Sequence, residues 1–277
     1  MNNHILSGFA DEFDKDIHAQ LSMLRENGVQ YFEPRAIRPG LNVADLTADQ
    51  AKELKAEMDE NGIKASAIGS PLGKIKLSDD MDAHMEKAKR TFETANILGT
   101  PFVRMFSFYA PEGKTFDGQF DAIVENLGRM ADIADQFGVT LCHENEHDVY
   151  GEGPQECLDV IKASDGKIKA VFDMGNFVLC GHDPLKAYEL LKDYVVYFHI
   201  KDSTYNGAIV PPGCGEAKIK EILSMHKEST FVSLEPHLAT FEALKTLTKT
   251  TYDNPYVYEN KQVAYLDALK RIREILA

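Results

Sequence analysis

Four short apolar segments decide the fold of this chain: VTLCHE at residues 139–144, KAVFD at 169–173, VVYFH at 195–199 and FVSLE at 231–235. Each is rich in β-branched or aromatic residues and is followed by turn-forming or polar residues, a pattern that predicts a buried strand. Each also ends in a side chain that can bind a metal ion, namely Glu144, Asp173, His199 and Glu235. These side chains are separated by 29, 26 and 36 residues. Because such spacings hold one strand, one helix and two loops, the segments predict successive parallel strands.

The positions of the four side chains predict one common site. In a closed parallel barrel, the C-terminal ends of all strands open on the same face. Three carboxylates and one imidazole form an oxygen-rich donor set that suits a divalent cation. Glu146 competes with Glu144, which we prefer because it ends the apolar run, whereas Glu146 lies among polar loop residues. The alternative is that each of the four residues is only an ordinary polar residue after a strand. This alternative is reasonable for any one of them, but it explains poorly why all four strands end in this way.

The rest of the chain alternates helix and strand signals in the same way. Glycines at positions 28, 62, 99 and 138 each follow a predicted helix and precede a predicted strand, at spacings of 34, 37 and 39 residues. A glycine just past a helix provides the positive φ that helix ends often require. The early strands are predicted at 5–9, 29–33, 63–68 and 102–106. Helices are predicted at 14–27, 120–137, 154–163, 184–192, 217–227 and 257–276, with a further helical turn over 240–249. Two more are predicted: one begins at the capping box of Thr47 and Gln50 and ends at Asn61-Gly62, and one carries an apolar stripe from Met81 to Ala95 and ends at Gly99.

The repeat of strand and helix predicts an α/β fold, a single (β/α)8 TIM barrel that forms one domain over residues 1–277. One eighth of 277 residues is about 35, close to the observed glycine spacings, so eight units fill the chain. Alternating elements imply right-handed crossovers and a parallel sheet. The competing fold is an open doubly wound sheet, which would carry a phosphate-binding glycine loop after an early strand. The sequence contains neither GxGxxG nor GxxxxGK[ST].

The composition and charge of the chain argue against several classes of binding partner and cellular location. The net charge of −14 repels phosphate backbones and argues against nucleic acid as a partner. No segment approaches the roughly 18 apolar residues of a membrane span, and the N-terminal MNNHI lacks the features of a signal peptide. The four cysteines form no CxxC pair, which predicts free thiols, buried at Cys142 and Cys157. We therefore expect a cytoplasmic protein without a membrane partner; a homo-oligomer is compatible with the sequence.

The donor set also indicates a reaction. Three carboxylates and one imidazole favour Mn²⁺, with Mg²⁺, Co²⁺ or Zn²⁺ as alternatives. Such an ion can hold the carbonyl oxygen and the neighbouring hydroxyl oxygen of a sugar, and it can stabilise the enediolate formed between them. Glu144 and Glu235 belong to the fifth and eighth predicted strands, so they can flank the metal and transfer protons on opposite sides. This arrangement fits epimerisation or aldose–ketose isomerisation.

At these residues the chain resembles the xylose isomerase-like superfamily of sugar isomerases and epimerases, which are TIM barrels. The matching segments are VRMFS (103–107), LCHEN (141–145), FDMGN (172–176), FHIKD (198–202), PGCG (212–215) and LEP (234–236). They lie between residues 103 and 236 of the chain. The resemblance implies the same four metal ligands, Glu144, Asp173, His199 and Glu235, with the two glutamates as acid and base.

Two positions depart from the pattern of ketose 3-epimerases in this superfamily. Asn176 stands where those enzymes have a histidine, and Tyr205 stands where they tend to have an arginine. Both positions normally contact substrate hydroxyls, so the departures argue against a simple free-ketose epimerase. We predict that the substrate is bound by residues at or near strand ends, Glu33, Arg104, Asn176 and Lys201. A salt bridge to a neighbouring carboxylate is the alternative for the charged members.

The sequence thus predicts a divalent-metal-dependent isomerase or epimerase of a sugar or sugar phosphate, active in carbohydrate metabolism. The alternative enzyme is a dehydratase of a cyclic polyol or keto acid, of the inosose or dehydroshikimate type, with the same metal and base. A nuclease of the endonuclease IV type shares the fold, but the net charge and the few histidine ligands argue against it. A sugar-binding barrel that has lost turnover is the non-enzymatic alternative.

Overall fold

Strands and helices alternate along the chain in the computed structural model, which describes residues 4–238 and 256–277. The strands are β1 (Ile5–Gly8), β2 (Tyr31–Phe32), β3 (Ala36–Arg38), β4 (Leu41–Asn42), β5 (Lys64–Ala65), β6 (Ile68–Leu72), β7 (Phe102–Met105), β8 (Thr140–Glu144), β9 (Ile168–Asp173), β10 (Val195–Ile200), β11 (Asp202–Ser203), β12 (Ile209–Val210) and β13 (Phe231–Leu234). The helices are α1 (Ile17–Glu26), α2 (Ala48–Glu60), α3 (Met81–Leu98), α4 (Phe120–Gln136), α5 (Pro154–Ala163), α6 (Met174–Leu179), α7 (Pro184–Leu191), α8 (Ile219–Met225) and α9 (Lys261–Leu276).

The parallel sheet curls into a barrel. Seven strands follow one another in the order β1, β13, β10, β9, β8, β7 and β6. Strand β2 fills the eighth position, because it pairs in parallel with β5, which directly precedes β6. On the side of β5, the amide of Ser66 donates to the carbonyl of Phe32 at 2.9 Å. On the other side, the amide of Glu33 donates to the carbonyl of Gly8, the last residue of β1, at 3.0 Å. The predicted (β/α)8 barrel is therefore confirmed; a single domain over 1–277 stays a prediction.

Alternating side-chain directions along the strands produce two apolar layers. A small cluster fills the barrel interior and includes Cys142, Val171 and Tyr197. A much larger cluster lies between the sheet and the surrounding helices. Cys142 and Cys157 are buried free thiols, as predicted. His143, next to Cys142 on the strand, points the other way and its Nε2 lies 3.0 Å from the Ser107 hydroxyl.

The predicted third strand differs from the observed one. The sequence suggests a strand over 63–68, whereas the structure has β5 and β6, separated by two residues. The glycine, serine and proline at 69–71 resemble a turn, yet they continue β6 across the sheet. Pro71 lacks an N–H for the ladder, and the register with β7 shifts between Ile68 and Leu72. This irregularity explains why a pattern of regular alternation placed the strand too early.

Helix ends follow the capping residues more closely than the apolar pattern. Helix α1 begins at Ile17 because Asp16 accepts a hydrogen bond from the amide of Ala19, so the predicted start at 14 is too early. Helix α9 begins after Asn260, which accepts from the amide of Val263, and not at 257. Helix α8 is shorter than the predicted 217–227, and α6 has no counterpart in the prediction. The helical turn predicted over 240–249 lies outside the described residues.

Among the described residues, the helices do not reach the combination of length and apolarity that crossing a membrane requires.

Candidate metal centre

The four predicted ligands lie side by side at one end of the barrel. Strands β8, β9, β10 and β13 are neighbours in the sheet. Glu144 ends β8, Asp173 ends β9, His199 is the penultimate residue of β10, and Glu235 follows β13. One nitrogen or oxygen from each side chain lies within 4.8 Å of the others, and all four residues are buried. Strand register alone therefore brings these groups, separated by up to 91 residues of sequence, to one point.

His199 lies at the centre of this group. Its Nδ1 is 2.7 Å from Oε1 of Glu144 and 3.4 Å from Oε2 of Glu235. The opposite nitrogen, Nε2, is 3.1 Å from Oε2 of Glu33. The rings of Phe9 and Tyr197 meet the imidazole edge-on, with centroids 5.0 and 5.4 Å away. The imidazole is thus held in one plane, with Nδ1 directed at the carboxylates.

Two carboxylate oxygens among the four predicted ligands are placed to bind a cation. Oε2 of Glu144 and Oε2 of Glu235 are buried and accept no hydrogen bond within the described structure. Arg35 Nη1 occupies the other oxygen of Glu235 at 2.6 Å, and Arg104 Nη1 lies 3.1 Å from Oε2 of Glu144. A buried carboxylate oxygen without a donor costs free energy unless a cation compensates it. Arg104 compensates Oε2 of Glu144 in part, whereas Oε2 of Glu235 lies 3.4 Å from the cationic His199 Nδ1. Both oxygens, with His199 Nδ1, have the chemistry to hold a divalent ion.

Asp173 is fixed by its own local contacts. Its Oδ1 caps α6 by accepting from the amide of Asn176 at 2.8 Å, and its Oδ2 accepts from Lys201 Nζ at 3.1 Å. Lys201 also donates to Oδ1 of Asn176 at 2.9 Å. Asn145 holds the backbone of Asp173 with two hydrogen bonds of 2.9 and 3.0 Å. Lys201 thus forms the salt bridge that was the alternative to a substrate contact.

Burial disfavours the charged form of every ligand, and the neighbouring charges decide the net direction. Burial lowers the pKa of His199, but the attraction of the surrounding carboxylates, Glu144 first, raises it to about 10. Burial raises the pKa of Asp173 to about 6, against the opposing attraction of Lys201. Burial also raises the pKa values of Glu144 and Glu235, but nearby cationic side chains bring both below the ordinary value. The cluster is therefore anionic and protonated on His199 near neutral pH.

The structure also locates the predicted substrate-binding residues. Arg104 is buried against the rings of Phe9 and Phe106, 5.1 Å from each centroid, and points at the ligand carboxylates. Glu33 is fully buried beside His199. Asn176 uses its side chain within the protein, since its Nδ2 also donates to the carbonyl of Asn145 at 2.9 Å. Substrate contacts by these residues and by Lys201 stay predictions.

The competing acid, Glu146, lies outside the cluster. Its carboxylate pairs with Lys74 Nζ at 3.1 Å and with His147 Nδ1 at 2.6 Å, at the rim of the barrel. Tyr205, at one of the departures from the epimerase pattern, is 51% exposed, and its hydroxyl donates to the carbonyl of His182 at 3.4 Å.

An ion-pair network lies beside the centre, and sequence reasoning missed its member Glu12. Glu12, Glu235 and His237 form a second group whose ligand-type atoms lie within 4.8 Å of one another. Arg35 contacts two of them, since its Nη2 is 3.3 Å from Glu12 in addition to the bond with Glu235. Because a guanidinium already lies between these carboxylates, we interpret the group as support for Glu235. Glu12 follows β1 in a single helical turn, so its position after a strand was the only available signal.

Comparison with known proteins identifies the family of this barrel. The family model of the xylose isomerase-like TIM barrel matches residues 21–275. An inosose dehydratase of Lacticaseibacillus casei is 25% identical over 178 residues, which is 56% of this chain and 56% of that protein. The match thus spans about half the length of that curated relative.

Two solved structures show how far the fold is shared. A D-allulose 3-epimerase from Methylomonas sp., solved in complex with D-allulose, has a TM-score of 0.75 at 15% identity, over 99% of this chain and 98% of that one. A xylose isomerase-like TIM barrel protein from Mycobacterium smegmatis, in complex with magnesium, has a TM-score of 0.72 at 17% identity, over 99% and 98%. At such identities the likeness shows the fold alone.

Proposed function

This chain belongs to the xylose isomerase-like TIM barrel family, and on that premise we propose that it is a divalent-metal-dependent isomerase or epimerase of a sugar or sugar phosphate. The observation that carries the proposal is the buried set of Glu144, Asp173, His199 and Glu235, in which two carboxylate oxygens accept no hydrogen bond. Mn²⁺ fits this donor set best, and Mg²⁺, Co²⁺ and Zn²⁺ are the alternatives. The relative solved in complex with magnesium supports a divalent ion.

The ion, when bound, would polarise the substrate carbonyl and its neighbouring hydroxyl as a Lewis acid. Glu144 and Glu235 have the positions of a proton acceptor and a proton donor, because β8 and β13 flank β9 and β10 in the sheet. Arg104 Nη1 lies 3.1 Å from Glu144 and 3.8 Å from Glu235, so one guanidinium orients both carboxylates. One glutamate removes the proton next to the carbonyl. The other, once it has taken up a proton from solvent, returns that proton on the opposite side.

We assign substrate orientation to Arg104 and Lys201. Both are cationic, buried and directed at the ligand carboxylates, so each can bind a substrate oxygen on which negative charge develops. Asn176 contacts Lys201 and would tune its position. Glu33 was predicted to bind substrate, but its carboxylate forms hydrogen bonds within the protein, to Tyr197, His199 and Ser233.

A dehydratase is the second candidate, because the curated relative is an inosose dehydratase and because Asn176 and Tyr205 depart from the epimerase pattern. Both reactions begin when a base removes the proton next to a carbonyl. An epimerase then returns a proton to the same carbon. A dehydratase instead expels the hydroxyl group on the following carbon as water. The two candidates therefore share the same residues and differ in the fate of the intermediate.

Proton exchange with solvent tests the shared first step. The Mn²⁺-loaded protein is incubated in D₂O with free ketoses, ketose phosphates and inososes, and NMR follows deuterium at the carbon next to the carbonyl. We expect exchange with at least one substrate, and the products separate epimer or isomer from dehydrated compound. Full exchange by chelator-treated protein would contradict metal dependence. Binding of these sugars without any exchange would instead support a sugar-binding barrel.

Metal affinity should depend on pH through His199. An ion bound at Nδ1 replaces the proton that the pKa of about 10 keeps on the ring, whereas Asp173, with a pKa of about 6, is already ionised above neutral pH. Affinity should therefore rise about tenfold per pH unit between about pH 7 and pH 9, with release of one proton. Calorimetry in buffers of different ionisation enthalpy measures that proton. An affinity independent of pH over this range would contradict ligation by His199.

A further inference from the structure

We infer that Glu33 is a positioning residue that holds His199 with Nδ1 directed at the metal site. This inference rests on the proposed function, because it assumes that His199 is a metal ligand. The nitrogen of a histidine that binds a metal is set by the hydrogen bond that the other nitrogen makes, and a ligating histidine usually donates its second N–H to a carboxylate or carbonyl. In this structure, Nε2 of His199 donates to Oε2 of Glu33 at 3.1 Å.

The environment of Glu33 shows that its carboxylate is itself fixed. The residue is fully buried, and it accepts hydrogen bonds from the Tyr197 hydroxyl at 3.1 Å and from the Ser233 hydroxyl at 2.7 Å. Tyr197 lies two residues before His199, on the same face of β10. Ser233 is the partner of His199 in the register between β10 and β13. Three donors on two neighbouring strands therefore converge on one carboxylate, which belongs to neither strand.

The arrangement leaves His199 one functional orientation. A flip of the ring would direct a carbon at Glu33 and leave a fully buried N–H without its hydrogen bond, which is unfavourable. The rings of Phe9 and Tyr197 also pack against the imidazole in T-shaped contacts, which restrict its movement. Nδ1 consequently faces Glu144 and Glu235. A contact of Glu33 with substrate is not needed to explain any of these features.

The orientation of His199 can be observed directly in the parent protein. Protein labelled with ¹⁵N-histidine is loaded with Zn²⁺, which is diamagnetic, and His199 is assigned by comparison with His199→Asn. We expect the metal-shifted signal on Nδ1 and one slowly exchanging proton on Nε2. Ligation through Nε2, or a freely exchanging Nε2 proton, would overturn the inference. This measurement needs no Glu33 variant, so it decides the question even if such a variant fails to fold.

The energetic contribution is measured with Glu33→Gln, which keeps the size of the side chain and removes its charge. Loss of such a carboxylate partner typically costs about 10–100-fold in metal affinity, and we expect a Mn²⁺ dissociation constant larger by that factor. Free Mn²⁺ is measured by its EPR signal, independently of turnover. Glu146→Gln is the matched control, since Glu146 is also largely buried and paired but lies outside the cluster; it should bind Mn²⁺ as the parent does.

The outcomes separate this inference from the proposed function. Parental Mn²⁺ affinity in Glu33→Gln would overturn the role of Glu33 while leaving the metal site in place. A parent protein that binds no divalent ion would overturn both. An equal loss in Glu33→Gln and Glu146→Gln would show a general effect of charge removal and would likewise overturn a specific role of Glu33.

Discussion

Replacement of Glu144 or Glu235 by glutamine is expected to reduce turnover by about 10²–10⁴-fold, the range typical for loss of a general base. Glutamine has nearly the same shape as glutamate and can still coordinate an ion through its carbonyl oxygen, but it accepts no proton. Each variant should therefore fold and retain much of its metal. The two carboxylates stand on strands that flank the other two ligands, so neither is expected to replace the other fully.

The environment of the two glutamates is compatible with their proposed roles as bases and as metal ligands. Nearby cationic groups lower the pKa of both despite burial, so both are ionised at neutral pH. A carboxylate that binds a cation is a weaker base than a free one. A bound cation would offset this loss, because it would acidify the C–H bond of the substrate.

Single variants should also separate the two proton transfers. With one glutamate changed, exchange of the substrate proton with D₂O can continue on one side of the carbon while net epimerisation stops. The experiment compares turnover and NMR-detected exchange in the parent, in Glu144→Gln and in Glu235→Gln, with Glu146→Gln as the control. If both variants turned over at the parental rate with metal bound, neither would be the base. Lys201 would then be the next residue to test.

Removal of a ligand that transfers no proton should abolish both metal binding and activity. In Asp173→Ala and His199→Ala we expect a metal content near zero, because each residue supplies one of four convergent ligand atoms. Metal is measured by mass spectrometry on purified protein, and circular dichroism checks the fold. Chelation of the parent should remove activity, and added Mn²⁺ should restore it.

A matched histidine variant makes this result specific. His147 lies at the rim and is paired with Glu146, outside the cluster. His147→Ala should therefore keep the parental metal content. Retention of a full equivalent of metal by His199→Ala, or full activity of the metal-free parent, would contradict the proposed centre. Some loss of stability is expected in both ligand variants, because removing one partner leaves buried charges uncompensated.

Local patterns in the sequence were sufficient for the fold and for the four convergent groups. Short apolar runs, glycines after helices and a polar residue at each strand end are all encoded within about 35 residues, the length of one βα unit. Parallel pairing then places the ends of successive strands at one face, so Glu144, Asp173, His199 and Glu235 could be predicted to meet. Capping residues, such as Thr47 with Gln50 at α2, likewise act locally and were visible in the sequence.

Only the tertiary structure decided how these groups are oriented and supported. Glu33 meets His199 across 166 residues of sequence and Ser233 across 200, and Arg35 meets Glu235 across 200. Such contacts leave no periodic signal, because they depend on the closure of the barrel and on the register between strands. The sequence therefore determined which side chains gather at the mouth. Barrel closure determined which nitrogen of His199 faces them, and it placed Glu33 behind that ring.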